Sequence, residues 1–306
     1  MKLLEFMTKF SEEQKCKEFY RDIRMKEGII CKKCGCKQHY WLSAKWQFQC
    51  AGCGFRTTLR SGTVMENSRL PFRTWFVIML YMTGTKKGIS ACELQRQLGH
   101  KRYSTIWGIM HRLRDVMGQR DAMYKLADMV EFDEGFFEKS VPSGTRKRLK
   151  RGKGSQRQAN VAVMAESTPL EDIETGRTSR HCRFFKMQVL DSHKAESTNN
   201  AIEQSIDLDA IVFSDQSKSY ADFSDYIEAH ISEKSSKKTT VETLQWVHIA
   251  ISNAKRNLLG VYHKISGRYL QRYLDEFVYK LNRRYFKSIF ERLVVDSVYP
   301  YWYINE

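Results

Sequence analysis

Two aspartates at the ends of apolar runs, and a histidine and a lysine on one later segment, are the residues of this chain whose types and spacing could do chemistry. Asp215 closes the run Ala210-Ile211-Val212-Phe213-Ser214, and Asp133 lies within Val130-Glu131-Phe132-Asp133-Glu134. His248 and Lys255 stand seven residues apart in a stretch from Thr243 to Leu259 that reads as a helix. That spacing is about two helical turns, so both side chains leave from one face. Hard carboxylate oxygens at strand ends are suitable ligands for Mg2+. Two such ions about 4 Å apart activate an attacking oxygen and stabilise a leaving one. This is the requirement of metal-dependent phosphoryl transfer. Each residue alone has a plainer reading: a strand-end Asp caps a turn, His248 is an interior histidine, and Lys255 is a solvated charge. The set of four is the signal.

A second constellation lies near the N-terminus. Cys31-Lys32-Lys33-Cys34 and Cys50-Ala51-Gly52-Cys53 are two Cys-x2-Cys pairs separated by fifteen residues. Two such knuckles complete a tetrahedral zinc site, and the pattern reads as a zinc ribbon. Gly35, Gly52 and Gly54 supply the backbone freedom its turns need. Cys36 and His39 are possible substitute ligands, whereas Cys16, Cys92 and Cys182 stand alone and read as small buried residues. The ribbon's role is either to fold a module too small for its own core or to contact DNA or a partner, with Lys33, Lys45, Arg56 and Arg60 favouring DNA.

The elements that must position these residues follow from the pattern. Pro71 opens an apolar helix, and Ser90 with Glu93 forms a capping box for a second. A break at Leu98-Gly99-His100 precedes a third helix from Tyr103 to about Met117. This resembles a helix-turn-helix, with Arg102, Tyr103 and Ser104 at the start of the recognition helix and His111, Arg112 and Arg114 further along; a plain helical bundle is the alternative. Strands are expected at 129–138, 160–166, 183–190 and 210–214, with helices at 194–206, 220–229 and 243–259 and a final helix at 267–286. Three strands, helix, strand, then helices is the order of a ribonuclease-H-like α/β domain, in which the strands bearing Asp133 and Asp215 are neighbours. The expected division is a zinc ribbon module over 1–66, a helical region over 67–127 and the catalytic domain over 128–306. The stripe Tyr269, Leu270, Tyr273, Leu274, Phe277, Leu281 predicts an amphipathic helix that closes the last of these, and Arg283 and Arg284 beyond it are candidates to reach DNA.

The four cysteines, Phe132-Asp133-Glu134, Phe213-Ser214-Asp215, the Trp246 to Arg256 helix, Leu270 to Phe277 and Asn282-Arg283-Arg284 together resemble the DDE-type insertion-sequence transposases. The likeness is to the ISXO-like group with an N-terminal zinc ribbon, and it covers nearly the whole chain. The resemblance implies binding of transposon ends and metal-dependent cleavage and strand transfer by a 3′-hydroxyl. It places Lys255 on a phosphate near the scissile bond, with Arg256 as a second contact, and it implies at least a homodimer bridging two ends of double-stranded DNA. One departure stands out. A Glu commonly precedes the Lys by seven residues, and here that residue is His248. A neutral imidazole can ligate Mg2+ or, better, Mn2+; it can equally donate to a phosphate or carry a proton. Asn253 and Glu242 are weaker candidates for that place. A non-catalytic zinc-ribbon and helix-turn-helix regulator with a degenerate nuclease fold is the competing reading.

Composition sets the limits. Lys and Arg number 51 against 35 Asp and Glu, a net charge of +16, which favours polyanion partners. Arg146, Lys147, Arg148, Lys150 and Arg151 concentrate this charge in one loop and predict a phosphate-tracking arm. No run of about 18 apolar residues and no signal-peptide core is present, so a cytoplasmic, nucleoid-associated protein is expected. No GxxxxGK[ST] loop supports an ATP-driven motor.

Overall fold

Alternation on two adjacent strands builds the core of the larger part of the molecule. In the computed structural model, which describes residues 1–141, 149, 155–171, 178–192, 194–234, 236 and 243–299, the chain divides into two compact units. One comprises Met1–Met117 and Tyr285–Glu306, the other Gly118–Arg284.

The second unit holds a five-stranded sheet. Its strands are β4 (Met129–Glu138), β5 (Gln158–Glu171), β6 (Thr178–Val189), β7 (Ile211–Asp215) and β8 (Ala229–Glu233), in spatial order β6-β5-β4-β7-β8. β4, β5 and β6 pair antiparallel, and β7 joins β4, then β8 joins β7, in parallel. Successive side chains on a strand face opposite ways, and the two faces bury separate clusters. Val161, Val163, Ala165 and Phe137 pack on one face beneath helices α7 (Gln245–Tyr262) and α8 (Leu270–Asn282), whose Val247, Ala250, Ala254, Leu270 and Leu274 meet them. Ala162, Met164, Val130, Phe132 and Val212 pack on the other, beneath α6 (Ala195–Ser205). The result is an α/β/α sandwich, each layer held by burial of an amphipathic face.

The expected helix over 220–229 does not form. Two short 3-10 turns, Lys218–Tyr220 and Phe223–Asp225, stand there, followed by β8. Tyr220 and Phe223 stack at 4.8 Å and both set an edge on Phe132, at 5.2 and 5.1 Å. Pairing of Ala229 with Ile211 then draws the chain into the sheet. Tertiary packing overrides the local helical pattern here.

The first unit contains α1 (Leu3–Lys9), α2 (Glu13–Glu27), a small antiparallel sheet of β1 (His39–Leu42), β2 (Gln47–Cys50) and β3 (Arg56–Thr58), and helices α3 (Phe72–Gly84), α4 (Ala91–Leu98) and most of α5 (Tyr103–Ala122). Ser90 caps α4 by accepting the Glu93 N–H at 3.1 Å, the N-cap half of the capping-box pattern, while the Glu93 carboxylate accepts from Arg96 and Gln97 instead, and Gly99 ends the helix with φ +60°. α9 (Ile289–Asp296) belongs here too. Its Phe290 joins a ring cluster with Phe6, Phe10 and Phe76, at centroid distances of 5.5 to 5.8 Å. The expected single helix over 267–286 is a 3-10 turn, Gly267–Tyr269, followed by α8. The helix expected from the stripe Tyr269 to Leu281 is α8, and it packs on the second unit's sheet; α9, which no sequence pattern singled out, supplies apolar surface to the first unit. No helix among the described residues is long and apolar enough to cross a membrane.

Candidate active site

Register brings the two aspartates to adjacent strand ends. The parallel ladder of β4 and β7 runs Met129–Ile211, Val130–Val212, Glu131–Phe213. Asp133 and Asp215 each lie two residues beyond that last pair, on the same face as it, and neighbouring strands are about 4.8 Å apart. α7 crosses this face. His248 Nδ1 stands 3.7 Å from Asp133 Oδ2, while Asp133 Oδ1 accepts the Glu134 N–H at 2.7 Å. Lys255 lies two turns further on, its ammonium 5.7 Å from the Phe137 ring centroid. It lines a cavity of about 310 Å³ with Phe136, Gln158, Leu258 and His263 among its walls. Gly135 lets the helix come this close: a Cβ there would meet Phe137 Cε2 at 2.9 Å and Ile251 Cγ1 at 3.3 Å.

The electrostatics suit a cation. Burial pushes the Asp133 carboxyl up to about 7, and the charges of Asp215 and Glu134 push the same way. The Glu134 N–H and the Lys255 ammonium offset this only in part. A carboxyl group so disfavoured as an anion is one that a neighbouring positive ion restores to its charged form. Burial lowers the His248 pKa against the opposing charge of Asp215, leaving a neutral imidazole able to ligate. Two carboxylates and a neutral imidazole therefore fit a divalent metal. Asp133, Asp215 and His248 are not drawn into as tight a three-ligand cage as the cysteines described below.

Around the site, Tyr220, Ser214 and Glu131 carried no signal of their own in the sequence, whereas Glu134, next to Asp133 on the strand, is expected to point across it and to support rather than ligate. Glu134 turns to the opposite face, where Asn160 Nδ2 and the Tyr220 hydroxyl bond its carboxylate. The Tyr220 phenol is raised by burial and by the nearby Glu134, Asp133 and Asp215, so it stays protonated. Ser214 is fully buried, donates to the Asp215 carbonyl at 2.9 Å and meets His230 Nε2 at 2.7 Å. Glu131, two residues before Asp133, is buried on the same face as it. Only the period of two along β4 could have singled it out.

Other expected positions fall as follows. Arg256 is exposed and bends back onto its own helix, bonding Ser252 O and Asn253 Oδ1. Arg283 is buried and pairs with Asp121 at 2.7 Å, and Arg284 bonds the Cys182 carbonyl. Both are internal fasteners, contrary to a DNA-facing reading, because the end of α8 packs against β6. Arg102 and Arg112 are exposed, whereas His111 and Arg114 are buried and face the helical core. Arg146, Lys147, Arg148, Lys150, Arg151 and Glu242 lie outside the described residues.

In the first unit, the sulfurs of Cys31, Cys34, Cys50 and Cys53 all lie within 4.8 Å of one another. Gly35 (φ +71°) and Gly54 (φ +70°) close the two knuckles, donating to Cys31 O and Cys50 O at 2.9 and 3.0 Å. Although burial opposes it, N–H groups of Cys53 and Gly52 and the Cys34 and Cys31 thiols bring Cys50 down to about 6, favouring the thiolate that metals bind. Cys36 and His39 stay out of the cluster. Cys16 and Cys182 are buried as expected, but Cys92 is exposed on α4.

This arrangement of an acidic strand pair under a helix, in a mixed sheet, belongs to a DDE-type insertion-sequence transposase. The sequence model of the ISXO2-like transposase domain matches residues 125–282, just over half of the chain and nearly all of the second unit, and the chain belongs to that family. No curated protein matches it. Among solved structures, one titled "Crystal structure of a pre-cleavage Mos1 transpososome" shares 9% identity over 73% of this chain and 78% of that one. Its TM-score of 0.24 is too low to carry an argument.

Proposed function

We propose that the Gly118–Arg284 unit is a ribonuclease-H-like catalytic domain that cleaves transposon ends and joins them to target DNA. The observation that carries this reading is the placement of Asp133 and Asp215 two residues past the Glu131–Phe213 pair, with His248 3.7 Å from Asp133. Asp133, Asp215 and His248 would hold Mg2+ or Mn2+, which when bound supplies charge neutralisation at the phosphate and an activated attacking oxygen. Asp133 and Asp215 would offer their carboxylates from adjacent strands. His248, being neutral, completes the donor set without adding a third negative charge. Lys255, two turns along the same helix face, binds a non-bridging phosphate oxygen of the DNA end as a point charge. Arg256 is placed one residue on to take a neighbouring phosphate once released from Asn253.

The Met1–Met117 unit would hold DNA. Cys31, Cys34, Cys50 and Cys53 would bind structural Zn2+. Exposed Arg102 and Arg112, with the basic segment Arg146 to Arg151, would contact phosphates of the duplex. Two copies acting on two ends would make the working form a homo-oligomer on DNA.

The test is cleavage of a labelled duplex carrying the element's terminal repeat, in Mg2+ and separately in Mn2+. Product that requires Asp215, lost in Asp215→Ala, and whose Mn2+ preference is relieved in His248→Glu, supports the reading. Tight binding without product under either ion overturns it in favour of a DNA-binding regulator.

A further inference from the structure

We propose that Glu131 is a positioning residue for this site: its buried carboxylate caps α7 from the neighbouring strand and sets the helix in the phase that brings His248 to Asp133. The proposal rests on the reading of Asp133, Asp215 and His248 given above.

Glu131 is the third residue of β4, the middle strand of the sheet, flanked by Ala165 of β5 and Phe213 of β7, and is 0% exposed. A carboxylate there is tolerated only if it is well hydrogen-bonded. Its Oε2 accepts the N–H groups of Trp246 and Val247, at 2.7 and 3.1 Å. These belong to the first turn of α7, where N–H groups have no partner within the helix. The helix brings little of its own to satisfy them. Leu244 occupies the cap position, offers no side-chain acceptor, and no acidic residue follows in the first turn. The cap comes instead from 115 residues earlier in the chain, and its charge sits at the positive end of the helix dipole.

The consequence is a register between strand and helix. Glu131, Asp133, Gly135 and Phe137 share one face of β4. Along α7 they meet, in order, the N–H groups of Trp246 and Val247, then His248, then Ile251, then Lys255. The six strand steps from Glu131 to Phe137 advance about 20 Å and the nine helix steps from Trp246 to Lys255 about 13.5 Å, so the contacts follow in order along both elements without the two running strictly in step. A slip by one residue at the cap rotates the helix by about 100° and removes His248 from Asp133. Thr243 is tied separately to Glu233 of β8 at 2.8 Å. That bond anchors the chain entering the helix, but it leaves the helix's own N–H groups to Glu131.

The experiment compares the full-length parent with Glu131→Ala and Glu131→Gln, with Asp133→Asn alongside. Hydrogen exchange at the start of α7 reads the cap directly. Exchange at Trp246 and Val247 should quicken at least tenfold in Glu131→Ala and less in Glu131→Gln, whose amide oxygen still accepts. Strand transfer at saturating DNA and metal should fall more than tenfold in Glu131→Ala, with partial rescue in Glu131→Gln. Mn2+ affinity, read by calorimetry, should fall by less than it does in Asp133→Asn, because only the His248 donor is displaced. If Glu131→Ala does not fold, Glu131→Gln carries the test through the same exchange and rate readouts. Unchanged exchange in the variants overturns the cap. A loss of Mn2+ affinity, read by calorimetry, as large as that of Asp133→Asn would make Glu131 a metal ligand instead, and would also overturn it. Activity surviving in Asp133→Asn would sink the assigned site and the functional half of this proposal, while exchange would still report on the cap.

Discussion

Replacing Gly135 with alanine tests whether the close seating of α7 on β4 matters. The added Cβ would stand 2.9 Å from Phe137 Cε2 and 3.3 and 3.5 Å from two carbons of Ile251. Neither neighbour has room to withdraw, since Phe137 is 1% and Ile251 8% exposed. Strand and helix must part by a few tenths of an ångström or Phe137 must leave its preferred rotamer. Overpacking of this kind costs about 1–3 kcal/mol. In a unit of this size, each kcal/mol lowers the melting temperature by roughly 2–4 °C. Activity should suffer more than stability, because the displaced helix carries both His248 and Lys255. Misplacement near 1 Å costs about 100-fold in rate, so a smaller shift should cost on the order of tenfold. Calorimetry and a strand-transfer assay at saturating DNA measure the two effects. Phe137→Leu, which removes the ring edge, should relieve part of the clash. The double variant should then be less destabilised than the sum of the singles. Gly135→Ala with the parent's melting temperature and rate would refute the reasoning.

Three further outcomes are expected. The Asp133 carboxyl is raised from 3.8 to about 7, so the stability conferred by its neutral form is complete below about pH 4 and is lost as pH rises through 7. The melting temperature of metal-free parent relative to Asp133→Asn should therefore fall from pH 5 to pH 8, and Mg2+ should restore it at pH 8 far more than at pH 5; a flat difference would show that no such burial penalty exists. Cys50→Ser removes one of four gathered thiols from a type of site worth about 10–16 kcal/mol. Elemental analysis should show zinc falling from one per chain toward none, with β1 to β3 becoming open to proteolysis, and full retention of zinc would contradict the assignment. Arg283→Ala leaves Asp121 buried without its 2.7 Å partner and should cost about 3–5 kcal/mol by denaturant unfolding; a weakened DNA affinity at unchanged stability would restore the DNA-facing reading of Arg283.

Local pattern carried much of the architecture. The alternation of β4, the N-cap at Ser90 and the paired cysteines each follow from short-range geometry, and the structure realises all three. The region after Asp215 was misread because Tyr220 and Phe223 satisfy a helical spacing equally well, and only Phe132 across the sheet decides what they pack on. Arg283 and Arg284 misled for a related reason. A basic pair at a helix end looks like a phosphate contact until Asp121 and the Cys182 carbonyl, more than a hundred residues away, are found beside it. Cys92, Arg114 and His111 show the same limit, since which side of a helix is covered depends on what packs there.

What the sequence determined by itself is the set of chemical groups and their local spacing: four thiols in two tight knuckles, an aspartate at the end of each of two apolar runs, and a histidine and a lysine two turns apart. Chain connectivity and backbone period are sufficient for these. Tertiary structure decided which of them meet. The parallel register of β4 and β7 set Asp133 and Asp215 at the same level, and the missing side chain of Gly135 let α7 approach. The carboxylate of Glu131, 115 residues before the helix it caps, holds that helix to the strand. Such long-range hydrogen bonds and packing contacts leave little trace in a linear pattern, because a partner is chosen by shape and burial rather than by separation along the chain.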